Sequence, residues 1–271
     1  MRLTATALLT TGLLLGLVAA AAGQQTPTPV PPTATPAPAP PPPTKAERIA
    51  DRAIALLAGW KVKAAENLLA TNEQELGATP EFRTALGYLR GAQAKGAEST
   101  ELLQNAAAAK PTDPAPPYIL GQVAYWRQKA ADADTAWKAA RDRAQAQVAT
   151  RSTDARAQYY LGAAQVRLKK FGLARTALTA ARDAGFDVTL VDYQLGLSYF
   201  LEEKWQDAVK AFDAVAEKDA KFAHLYFYRG LAQGKLDHKD KMLVDLDLFV
   251  KLAPSAPEAT IARANLAGAR R

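Results

Sequence analysis

A chain of 271 residues, 49% of them hydrophobic, is long enough to bury a substantial core, and its wealth of alanine favours close-packed helices over strands. The absence of cysteine excludes disulfides, thiol catalysis, Cys-based metal sites and a cysteine-anchored lipoprotein. The net charge of +7 is scattered along the chain instead of forming a basic stripe, which argues against nucleic acid as a partner.

The first predicted segment, 1–23, reads as an export signal. Arg2 supplies a positive charge, an apolar run follows from Leu8 to Val18, and small residues Ala19 to Gly23 offer a cleavage site after Ala22 or Gly23. The uncharged stretch from Leu3 to Gly23 is nearly long enough to span a bilayer, so an uncleaved anchor is the alternative and the only predicted route to a membrane. Export places the protein in the periplasm, at the cell envelope or outside the cell. The next segment, 24–44, is a disordered linker: from Thr26 to Thr44 it holds only Pro, Thr, Ala and Val. It predicts an extended spacer at about 3.1 Å per residue.

From Lys45 onward the pattern is helical throughout. Gly87, Gly121, Gly162, Gly196 and Gly230 are separated by 34, 41, 34 and 34 residues, and each but the last follows a leucine. A period near 34 is the mark of stacked two-helix units. Prolines 80, 111, 114, 254 and 257 fall at unit boundaries, where the first turn of a helix tolerates them. The units are 46–79, 80–113, 114–154, 155–188, 189–222 and 223–256. The third carries seven extra residues, the difference between 41 and 34, which lengthen its second helix or the loop after it. Helix crossings need small residues, and the unit from 189 supplies them as Gly196 and Ala208, with Tyr199 and Phe212 alongside. In the first unit Ala53 stands in for the glycine, and in the last Arg229 and Met242 depart from the pattern and predict looser packing. Residues 257–271 read as a capping helix with Ile261 and Leu266 on its inner side.

These residues resemble the tetratricopeptide repeat (TPR) family, over essentially everything after the proline tract. The resemblance implies an all-α, right-handed α-solenoid of helix-turn-helix repeats with a C-terminal capping helix. It also implies a concave face lined by the first helix of each unit. Mapped by repeat position, that face carries Tyr118, Gln122, Tyr125 and Trp126, then Arg156, Tyr159 and Arg167, then Tyr193, Leu197 and Phe200, and finally Phe227. The expected ligand is a protein or peptide with apolar anchors, held by a monomer. The other reading of the same aromatics is packing between neighbouring helices. The family's carboxylate clamp is not expected, because the corresponding positions, as at Tyr159–Ala163 and Tyr193–Leu197, are aromatic or aliphatic.

No catalytic residue, metal ligand or cofactor site is predicted. His224, at a groove position, and His238, in a turn, are expected at the surface; Glu202–Glu203 fall in a turn, and Asp245 and Asp247 on a solvated helix face. The expected function is a non-catalytic interaction scaffold of the envelope. The alternatives are an architectural spacer within an envelope assembly, and an accessory of an enzyme or transport system with an unrecognised ligand site.

Overall fold

The computed structural model describes residues 42–269; the predicted export signal and most of the predicted linker lie outside them. The described residues form thirteen helices and no strand. They pair as α1 (Lys45–Ala58) with α2 (Val62–Leu76), α3 (Pro80–Ala92) with α4 (Gly96–Ala109), and α5 (Ala115–Trp126) with α6 (Ala130–Thr150). The series continues with α7 (Ala155–Arg167) and α8 (Phe171–Asp183), α9 (Val188–Leu201) and α10 (Trp205–Lys218), then α11 (Ala223–Lys235) and α12 (Lys239–Leu252). A last helix, α13 (Ala259–Ala269), packs on α12. Each helix packs mainly on its partner and on the next pair, which is the solenoid arrangement of a TPR-like fold.

Local chemistry sets the helix ends. Thr44, assigned to the linker by composition, instead caps α1: its hydroxyl accepts from the Glu47 amide at 3.2 Å while the Glu47 carboxylate accepts from the Thr44 amide at 2.9 Å. Thr79, Asp154 and Asp187 cap α3, α7 and α9 through their side-chain oxygens. The seven extra residues extend a helix, since α6 runs 21 residues where the other second helices run 13 to 15.

The glycine register is a register of helix crossings. A Cβ on Gly196 would stand 2.5 Å from the Phe212 ring, and one on Gly162 or Gly87 would stand 2.6 or 2.7 Å from Leu178 or Leu103. Gly121 faces Trp137 in the same way. At Gly230 the nearest atom is 3.1 Å away, so the last crossing is more open, as its departures from the pattern predict. A second register runs through the turns between paired helices. Trp60, Ala94, Gln128, Lys169, Glu203 and Asp237 all have φ near +60°, and they repeat at 34, 34, 41, 34 and 34 residues. The same left-handed residue therefore reverses the chain in every unit.

Three expectations are corrected. Ile261 points outward at 53% exposure, and α13 instead buries Ala259, Ala262 and Leu266 against the last pair. Asp245 is buried, because Arg229 donates to both of its oxygens at 2.8 and 2.7 Å. His224 is also buried, for a reason that bears on function.

Candidate functional site

The solenoid curves back on itself. The turn between α1 and α2 meets the loop that enters α11: the Ala223 amide donates to the Gly59 carbonyl at 3.0 Å, and the Phe222 ring lies against Gly59. Lys61 pairs with Asp219 at 2.5 Å across the same seam. Trp60 projects from the turn, meets the rings of Trp126 and His224 edge-on at 5.5 and 5.4 Å, and donates its indole N–H to Ser255 at 3.4 Å. His224 Nδ1 lies 2.8 Å from the Ala58 carbonyl, so that nitrogen carries the hydrogen.

This closure decides where the predicted groove residues lie. Tyr118, Gln122, Tyr159, Tyr193, Leu197 and Phe227 are all buried, which corrects the expectation of an open aromatic groove. Each has a packing or bonding role. Tyr159 stacks on Phe186 at 4.4 Å, Tyr193 meets Phe222 at 4.8 Å, and Phe227 meets Phe249 at 5.1 Å. The Tyr118 hydroxyl is bonded to Gln194 at 3.0 Å, and Leu197 is sealed in the core. Phe200 is half-buried against Trp205 and Tyr228. Arg156 is a structural tie, donating to Asp51 at 3.1 Å on α1 and to Asp113 at 2.8 Å before α5. Tyr125 alone of the set is exposed, at 48%, beside the half-buried Trp126.

Inside the closure lies a cavity of about 30 Å³, with room on the order of one water molecule. Tyr88, Tyr118, Tyr159, Tyr193 and Tyr228 wall it, together with Arg167 and Gln122. Burial pushes the phenols of Tyr88, Tyr159, Tyr193 and Tyr228 well above their usual range, so they keep their hydrogens at neutral pH. Gln194, His224 and Glu258 complete the lining. Trp126 and Glu258 also line an open cleft of about 370 Å³ outside, shared with Tyr125, Gln128, Ala130, Pro257 and Ile261. The chamber and the cleft are thus back to back across two side chains.

Periodicity marks first-helix positions and so finds the tyrosines and His224; it is blind to Trp60 and Glu258, which come from a turn and a linker. One signal was available. Trp60 occupies a turn position where the other units carry Ala, Gln, Lys, Glu and Asp, and a large apolar residue there requires a cover.

Glu258 faces His224 Nε2 at 3.4 Å. Burial pushes its carboxyl up, but the neighbouring His224 and the charge of Arg167 outweigh that and hold it below its ordinary 4.5. A carboxyl lowered in the folded state stabilises fully above its unfolded value, and that contribution is lost as pH falls through the folded value. Thermal unfolding followed from about pH 6 to about pH 3 should show the wild type losing stability on acidification, and Glu258→Gln losing less. Parallel profiles for the two proteins would contradict this.

Among the described residues no three His, Asp or Glu side chains gather to hold a metal ion, and no helix is long and apolar enough to cross a membrane. No protein-family model and no curated protein matches the sequence. Solved structures do resemble the chain. One is YrrB, described as a TPR protein with an unusual peptide-binding site: 19% identity, 72% of this chain and 97% of that one, TM-score 0.42. A thermophilic TPR protein of Thermus thermophilus has 16% identity over 69% of this chain and 98% of its own, TM-score 0.48. PilF of Pseudomonas aeruginosa has 14% identity over 81% and 96%, TM-score 0.38.

Proposed function

We propose that this chain is a non-catalytic protein-interaction scaffold of the cell envelope, a monomer exported by residues 1–23 and held off its surroundings by the proline-rich segment. Its partner docks at the lip where the turn between α5 and α6 meets the start of α13. The observation that carries this reading is the convergence there of Tyr125 and Ile261, 48% and 53% exposed, with Pro257 and Trp126 around the outer cleft. Exposed apolar side chains clustered in a concavity mark interaction sites, whereas scattered ones do not. Leu173 and Val244 are at least as exposed but line no shared concavity with one another. A tyrosine beside a branched aliphatic suits a peptide or helix with apolar anchors.

The test is a photo-crosslinking amino acid placed in the cell at position 125 or 261, and at 173 or 244 as controls. The first two should yield adducts with one and the same protein, and the controls should not. Equal adducts at all four positions, or none at 125, would remove the lip from the proposal.

A further inference from the structure

We propose that the closed chamber is a binding site for a small monocarboxylate with an apolar body: the carboxylate enters beside Arg167 and the body lies in the outer cleft. This goes beyond the scaffold reading and does not require it; because the apolar body lies in the cleft at the lip, the ligand and a docked partner would compete there.

The argument starts from a comparison within the chain. Among the described residues four arginines lie over aromatic rings: Arg156 over Tyr160, Arg167 over Tyr125 and Trp137, Arg175 over Tyr199, and Arg229 over Tyr226. Three of them hold carboxylates. Arg156 takes Asp51 and Asp113, Arg175 takes Glu202, and Arg229 takes Asp213 and Asp245. Arg167 forms no ion pair among the described residues; it donates instead to a neutral group, Gln122 Oε1, at 2.7 Å. Its Nε is buried with no protein acceptor. The Glu258 carboxylate is near enough to attract the guanidinium but forms no ion pair with it among the described residues, so the buried Nε–H lacks an acceptor, and a carboxylate is the group that would supply one.

The neighbouring groups fit the same ligand. The Trp126 indole N–H, also buried without a partner, borders the chamber and the cleft alike. Gln194, 3% exposed, has its second amide atom free of any protein partner. Because the Tyr118 hydroxyl can donate as well as accept, the amide can turn its NH2 toward the chamber. Glu258 Oε2 lies 3.4 Å from His224 Nε2, so the acid faces the imidazole at the chamber wall. Size assigns the two ends of the ligand. About 30 Å³ takes a carboxylate oxygen in place of a water and little else, while the cleft of about 370 Å³, lined by Tyr125, Pro257 and Ile261, accepts a short apolar chain.

The probe is hexanoate, titrated into the purified chain and followed by tryptophan fluorescence, with 1-hexanol as the isosteric control lacking charge. Hexanoate should bind saturably, and hexanol about tenfold or more weakly. Arg167→Gln should lose about tenfold in affinity and Arg167→Lys less, because lysine keeps the charge but not the planar fork. Ile261→Ser, an exposed change outside the core, should weaken hexanoate severalfold without lowering Tm, so the test survives an unfolded Arg167 variant. Equal binding of hexanol and hexanoate, no saturable binding, unchanged affinity in a folded Arg167→Gln, or unchanged affinity in Ile261→Ser would each overturn the assignment. A crosslinked partner at the lip together with no hexanoate binding would leave the scaffold standing and sink the carboxylate site.

Discussion

Replacing Trp60 by alanine should destabilise the protein by about 3–5 kcal/mol and open the solenoid. Trp60 is 6% exposed, and it belongs to a turn that would otherwise project into solvent. Its ring covers Trp126 and His224, and its N–H reaches Ser255, so one side chain joins the first pair to the α12–α13 linker and, through Trp126, to α5. The backbone bond from Ala223 to Gly59 and the Lys61–Asp219 pair would remain, but a partly exposed ion pair and one hydrogen bond are each worth about 1 kcal/mol. Opening would expose the tyrosine wall, so the variant should show a larger radius of gyration by solution scattering and greater quenching of tyrosine and tryptophan by acrylamide. The comparison is Trp205→Ala, whose half-buried ring meets only Phe200 among the aromatic side chains and bridges no distant units. If Trp60→Ala cost no more than Trp205→Ala and left the scattering profile unchanged, the closure would carry little of the stability.

That closure also marks the limit of what the amino-acid order revealed. The glycines at 87, 121, 162 and 196 announce the helix crossings because each demands a missing Cβ, a local requirement visible in a single unit. Unit boundaries were legible through the prolines, which a helix tolerates only in its first turn. Curvature is different. It accumulates from small rotations between successive pairs, and whether the first pair meets the sixth depends on their sum. Tyr118, Tyr159 and Tyr193 occupy concave positions either way, and only the sum decides whether they face solvent or one another. Ile261 was misplaced because the capping helix buries its alanines, which carry little weight in an apolar pattern yet pack closest. Asp245 was misplaced because its cover, Arg229, sits 16 residues away in the unit's other helix, outside any helical period.

The second large effect should come from Arg156→Met, through the group it leaves behind more than through the group it removes. Arg156 stands between Asp51 on α1 and Asp113 before α5, with its side chain 21% exposed and that of Asp113 1% exposed. Asp113 has a second bond, from the Ala115 amide at 3.0 Å in the first turn of α5, which a helix N-terminus favours. Among the described residues Asp51 has no second hydrogen bond of this kind. Burial already pushes its carboxyl above the usual range in spite of Arg156, and the Asp113 charge pushes the same way. Without the arginine, two carboxylates face each other between α1 and the loop before α5, an uncompensated buried charge costing about 3–5 kcal/mol near neutral pH. A carboxyl raised in the folded state binds its proton more readily there than in the unfolded chain, so acidification relieves the strain instead of adding to it. Denaturant midpoints of Arg156→Met should therefore fall far below wild type at about pH 7 and approach it at about pH 4.5, and Asp51→Asn combined with Arg156→Met should recover part of the neutral-pH loss. A deficit that stayed constant with pH, or one below about 1 kcal/mol, would mean that apolar packing alone holds α1 in place.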